Sequence, residues 1–140
     1  MLMRGDFVTR IFVMTKEFDK NWKAMGFTDD DLKALQEELI VNPKKGDSMQ
    51  GTGGLRKIRI AFEGRGKSGS ARVCYVDFEK YHKIFLITAY PKNEKENLSK
   101  AERNAIATMI ATLVSIHATA IFCHPRATAT YVNFANLTSH

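Results

Sequence analysis

Cysteine is nearly absent. Cys74 and Cys123 are the only two in 140 residues, with neither CxxC spacing nor a histidine at zinc-finger spacing. That excludes a disulfide framework and fits a reducing cytosol. Cys74 falls inside an apolar strand pattern and reads as a small core residue rather than a nucleophile. Long apolar runs are also missing: none approaches the roughly 18 residues that a membrane span needs. The opening residues, Met1 to Asp6, lack the apolar stretch of an export leader. A soluble cytoplasmic protein with no membrane partner is the expectation. No internal repeat is found. Carboxylates are the minority charge, 15 against 21 Lys and Arg, which leaves a net charge of +6. Such an excess favours an anionic partner, a nucleic acid, an acidic protein or an anionic membrane surface, and says nothing about fold.

What is present is ordinary globular composition, 44% hydrophobic and 26% charged, in a length that suits one core. Phe7–Thr15 is short, β-branched and aromatic, and predicts a first strand. In Lys16–Met25, Phe18, Trp22 and Met25 recur at i, i+4, i+7 and make one apolar helix face, closed by Gly26. Thr28 is an N-cap candidate. Asp29, Asp30 and Asp31 follow it in the first turn, where negative charge suits the helix dipole. Adjacent carboxylates on a helix start point in different directions, so this cluster reads as capping and not as a metal site. Leu32, Leu35, Leu39 and Ile40 form that helix's stripe, and Asn42-Pro43 stops it.

After a polar connection, Lys44–Gly54, three strands are predicted: Leu55–Phe62, Ala71–Phe78 and Lys83–Tyr90. The last is apolar on both faces, which marks a central strand, and Pro91 ends it. Ser99-Lys-Ala-Glu102 is a capping box opening a helix with Ala105, Ile106, Met109, Ile110 and Leu113 on its buried side. The order β-α-α-β-β-β-α predicts an α+β domain, a small sheet with its helices on one face. Residues 1–115 carry this pattern. Residues 116–140 carry one charged side chain, Arg126, and no sustained period. They read as an extra strand or as a non-native extension such as a frameshift remnant, with the second preferred.

Ala61–Ser68 imitates a phosphate-binding loop. That chemistry needs a helix directly after Lys67-Ser68, and the following residues alternate as a strand, so nucleotide hydrolysis is set aside. Its glycines make a hairpin loop.

The same region is strongly basic. Arg56, Lys57, Arg59, Arg65, Lys67 and Arg72 stand against one acid, Glu63. Lys57 and Arg59, two apart in a strand, emerge on one face roughly 7 Å from each other. Arg72, near the start of the next strand, joins them only if the hairpin register allows. Solubility alone would use either sign of charge, so an anion-binding face is the preferred reading.

Taken together, Gly54-Leu-Arg-Lys-Ile-Arg-Ile-Ala61, Gly69-Ser-Ala-Arg-Val-Cys-Tyr75, Phe85-Leu-Ile-Thr-Ala-Tyr-Pro-Lys-Asn-Glu94 and Asn97-Leu-Ser-Lys-Ala-Glu102 resemble the HigB branch of the RelE superfamily of toxins, over roughly Phe7 to Ser115. The resemblance implies a RelE-like fold and the toxin half of a two-gene toxin–antitoxin system. It implies an endoribonuclease that cuts messenger RNA, commonly on the ribosome, without a metal or other cofactor. An antitoxin, often a helix-turn-helix protein, would be its partner. The family's basic strand pair corresponds to Lys57 and Arg59, its following arginine to Arg72, and its basic residue after the last strand to Lys92. Tyr90 matches an aromatic of the HigB branch, stacking on a base or orienting a phosphate. Arg56, Arg65, Lys67 and Lys95 would add RNA contacts. The catalytic tyrosine of RelE itself would fall near Leu98, so that group is missing. None of the four histidines matches a catalytic position. A gyrase-binding ParE-like toxin and a non-catalytic RNA- or protein-binding module are the alternatives.

Overall fold

The computed structural model describes residues 10–61, 70–95, 97–119 and 129–133. The elements are β1 (Ile11–Met14), α1 (Lys16–Ala24), α2 (Asp29–Val41), β2 (Asp47–Ser48), β3 (Leu55–Ala61), β4 (Ser70–Phe78), β5 (Lys83–Pro91), α3 (Lys100–Thr119) and β6 (Ala129–Asn133). A single 3₁₀ turn, Glu79–Tyr81, joins β4 to β5 through His82 in the left-handed region at φ 56°. The predicted helices and strands are present in order. The loop Phe62–Gly69 lies outside the described residues, as do Phe7 to Thr9 of the expected first strand and Cys123.

Local chemistry accounts for the helix starts. The Thr15 hydroxyl accepts from the Phe18 N–H and donates to the Ile87 carbonyl, so one side chain both starts α1 and ties it to the sheet. Thr28 and Asp31 exchange the two bonds of a capping box at α2, which accounts for one aspartate of the cluster. Ser99 and Glu102 do the same for α3: the Glu102 N–H donates to Ser99 Oγ, and the Ser99 N–H to Glu102 Oε1.

The strands form a mixed sheet in the order β2-β3-β4-β5-β1-β6. The pairs from β2 to β5 are antiparallel, and β1 runs parallel to both β5 and β6. β5 is central, as its two apolar faces require. One element goes beyond the sequence reading, the two-residue β2 hidden in the polar connection; β6 is a strand within residues 116–140, the less favoured of the two readings given for them. Helix α3 also runs past residue 115, where the domain pattern was expected to end.

The expectation that all helices share one face is overturned. Phe12, Phe18, Trp22, Leu32, Leu35, Leu39, Val73, Tyr75 and Leu86 pack together under α1 and α2. Val13, Leu55, Cys74, Val76, Phe85, Ile87, Ile106, Ile110 and Leu113 pack on the other side under α3. The reason lies in β4 and β5: both bury six or more consecutive side chains, so each sheet face must be covered. Ala105, expected on the buried side of α3, is exposed, while Ile106, Ile110 and Leu113 are buried.

Candidate nucleic-acid interface

The α3 side of the sheet carries the basic residues. Pleating sends alternate side chains to opposite faces, and directly paired residues share a face. In the β3–β4 ladder Arg59 lies opposite Arg72, and Lys57 opposite Cys74. In the β4–β5 ladder Arg72 lies opposite Tyr90, and Cys74 opposite Thr88. Two rows result: Arg59–Arg72–Tyr90, and beside it Lys57–Cys74–Thr88. The register therefore unites Lys57, Arg59 and Arg72 on one face.

Tyr90 reaches this face through an irregularity. The ladder steps from Cys74↔Thr88 to Tyr75↔Leu86, leaving Ile87 without a partner of its own. The bulge shifts the alternation of β5 by one. Before it, Leu86 faces α1 and α2; after it, Ala89 takes that side and Tyr90 the α3 side. Without the extra residue Tyr90 would point away from Arg72.

Burial differs along the rows. Arg59 is exposed, Lys57 half-buried and Arg72 only 8% exposed. Two arginines directly opposite each other on an antiparallel pair repel, which costs stability.

Tyr90 is 4% exposed. Its hydroxyl is buried beside the Cys74 thiol and meets no strong hydrogen-bond partner. Burial, then the neighbouring Cys74, push the phenol far above its usual range, although Arg72 draws it down. Burial likewise raises the Cys74 thiol to about 11, against the pull of Lys57. Both therefore stay protonated near neutrality. Lys95 lies over the Tyr90 ring, 5.0 Å from its centre, so a base stacking on Tyr90 would first have to displace an ammonium.

The segment after β5 folds back over this surface. The Lys92 N–H donates to the Ser70 carbonyl, which extends the ladder one residue beyond Pro91, with the Lys92 side chain exposed. Lys57 Nζ donates to Asn97 Oδ1 at 2.7 Å, and Lys95 Nζ to Glu102 Oε2 at 2.6 Å. Leu98, where a catalytic tyrosine would align, is a buried core residue. No composition or spacing signal marks Asn97. Glu102 is legible in the sequence only as a cap.

Arg56 does not join the group. It pairs with Tyr75, on the α1–α2 side, and its guanidinium donates to the Lys44 and Gly46 carbonyls. The Gly46 N–H in turn donates to the Tyr75 hydroxyl, which donates to the Pro43 carbonyl. Arg56 thus secures the connection into β2. Arg65 and Lys67 lie outside the described residues. Strand β4 begins at Ser70, so a strand and not a helix follows the phosphate-loop imitation. Among the described residues no His, Cys, Asp and Glu side chains gather in groups of three that could hold a metal ion. No described helix is long and apolar enough to cross a membrane.

Fold and face together define a small α+β domain with a cationic sheet surface roofed by one helix and its entry loop. The family model described as "RelE toxin of RelE / RelB toxin-antitoxin system" matches residues 9–123, and the chain belongs to that family, as a toxin of a toxin–antitoxin system. Among solved structures, an arginine-to-alanine double mutant of E. coli toxin RelE in the free state is similar at 17% identity, covering 71% of this chain and 95% of its own, with a TM-score of 0.49.

Proposed function

We propose that this toxin is an endoribonuclease of the HigB branch that inhibits translation by cutting messenger RNA in the cytoplasm, with ribosome-bound message as its substrate. The observation that carries this reading is the placement of Arg59 directly opposite Arg72 with Lys57 on the same face. Cleavage of RNA by its own 2′-hydroxyl needs in-line geometry, a path for the 2′ proton and positive charge on the phosphorane as it forms. Planar guanidinium groups suit that last demand because they bind phosphate oxygens in pairs. Arg72, held by burial, stabilises the phosphorane. Arg59 and Lys57 assist it and fix the backbone. Lys92, at the end of β5, protonates the departing 5′-oxygen. Tyr90 forms the platform that holds Lys95 beside the reacting phosphate. Arg65 and Lys67 extend the RNA track. The chemistry calls on no metal or cofactor.

The family carries a cognate antitoxin as partner. A neighbouring gene for a helix-turn-helix protein would supply it.

The test is Arg72→Ala. Growth arrest and cleavage of messenger RNA on programmed ribosomes should fall by at least about a hundredfold, the scale of losing one transition-state charge contact. The circular dichroism spectrum should stay that of the parent. An undiminished toxin would remove Arg72 from the mechanism.

A further inference from the structure

The 2′ proton needs an acceptor, and the groups already placed on this face are unsuited to it. Lys57, Arg59, Arg72 and Lys92 are cationic. Tyr90 and Cys74 are buried acids pushed upward, and a phenol or thiol that keeps its proton cannot take another. Leu98 brings no polar atom to the position where a tyrosine would stand.

Among the described residues two carboxylates meet these rows: Glu17, which accepts from the Thr88 hydroxyl at the far end of the second row, and Glu102, which lies on the Tyr90 and Arg72 side. Glu102 sits in the first turn of α3, and its two oxygens have different tasks. Oε1 accepts the Ser99 N–H at 2.8 Å, the bond of the capping box. Oε2 is turned to Lys95 at 2.6 Å, and that ammonium lies over the Tyr90 ring, next in the ladder to Arg72. Each carboxylate oxygen can accept about two hydrogen bonds, so Oε2 keeps a lone pair after Lys95 is served. The Lys95–Glu102 pair is more than one-third exposed on both sides, and such pairs add little to stability. A glutamine would cap α3 equally well. The charge therefore adds only the modest gain of a carboxylate at the positive end of a helix dipole.

We propose that Glu102 is the general base of the cleavage reaction, accepting the 2′-hydroxyl proton of the RNA. The inference rests on the endoribonuclease reading above. As the proton passes to Oε2, the 2′-oxygen bonds to phosphorus and the bond from phosphorus to the 5′-oxygen breaks. The 5′-oxygen takes a proton from the Lys92 ammonium. The products are a 2′,3′-cyclic phosphate and a 5′-hydroxyl, and no oxidant or second substrate is consumed. Solvent then returns a proton to Lys92 and removes one from Glu102.

The charges around Glu102 keep it in the form that can accept a proton, at a cost in basicity. Lys95 from the loop and the Ser99 N–H hold it ionised, with its pKa below the usual carboxylate value. Glu102 acts electrostatically on Cys74 of β4, as Lys57 does, and on Tyr90 of β5, as Arg72 does. The base is ready at neutral pH, and the acid limb of the rate profile lies low.

Glu102→Gln tests this with the full chain, because the cap survives and the base does not. On programmed ribosomes under single-turnover conditions, cleavage should slow by about 10²- to 10⁴-fold, the usual share of a general base. Binding of an RNA with 2′-O-methyl groups, which cannot react, should stay within about twofold. Glu102→Asp should recover part of the rate and keep the acid limb that Glu102→Gln loses. If Glu102 served only to position Lys95, Glu102→Gln would add nothing to Lys95→Ala and would weaken binding instead. That pattern, or an unchanged rate, overturns the base. If the parent protein itself forms no 2′,3′-cyclic phosphate ends, the endoribonuclease reading falls and the base with it. If the parent cleaves, Arg72→Ala does not and Glu102→Gln does, the base alone falls.

Discussion

At the scale of single residues, neighbours decide chemistry more than residue type does. Cys74 is fully buried between Lys57 and Thr88 in the ladder, and burial outweighs the nearby ammonium. Its thiol should resist alkylation by iodoacetamide at about pH 8 in the native protein and react freely once the chain is unfolded. The sign of the linked stability follows. A thiol raised from 9.0 to about 11 favours folding fully below the lower value, and that contribution is lost as pH climbs between the two. Tyr90 shifts in the same direction and adds to the loss. Urea midpoints measured from about pH 8 to 11 should therefore fall. Arg56 shows the converse: a residue that reads as part of a basic cluster is committed to carbonyl groups on the far face. Arg56→Ala should cost about 1 kcal/mol in urea denaturation, the worth of an ordinary hydrogen bond, while leaving RNA cleavage intact. Sequence reasoning grouped it with Lys57 because adjacency along the chain looks like adjacency in space, and in a strand it is the opposite.

At the scale of elements, amphipathic patterns named the strands and helices, and caps placed their starts. Thr28 and Ser99 act locally, within three residues, so a linear reading finds them; Thr15, read as the end of a strand, caps α1 and also bonds the distant Ile87 carbonyl. Which face of the sheet each helix covers is not local. A strand apolar on both sides, such as Ile84–Tyr90, states that two layers must exist and is silent on which helix supplies which. Helix α3 covers the basic face with Ile106, Ile110 and Leu113, and its stability depends on that contact. Ile110→Ala, at a site 1% exposed, should cost about 2–5 kcal/mol through lost burial and a cavity. Val114→Ala, at a site 42% exposed, should change the urea midpoint by little. The short β2 escaped notice because two exposed residues, Asp47 and Ser48, carry no pattern. They pair with Lys57 and Arg56 only because the strand they meet is already in place.

At the scale of the whole molecule, a net charge of +6 predicts salt-sensitive association with RNA. Log–log plots of affinity against salt should lose a slope of about one for each of Lys57, Arg59 and Arg72 removed. Arg56→Ala should leave the slope unchanged, since that charge points elsewhere. Equal effects from all four would mean that the protein attracts RNA through its overall charge rather than through a face. The sequence by itself determined the α+β class, the order and caps of the elements, the sign of the charge, and the pairing of Lys57 with Arg59 on one side of a strand. All of these follow from short-range periodicity and composition. Tertiary structure decided the rest of the site. The hairpin register set Arg72 against Arg59, the β5 bulge turned Tyr90 toward them, and the packing of α3 set Glu102 against Lys95, which reaches over Tyr90 from the loop between β5 and α3. Register and bulge depend on how two distant segments hydrogen-bond, and helix placement depends on which sheet face remains uncovered. Those are properties of pairs of elements, and no single stretch of chain contains them.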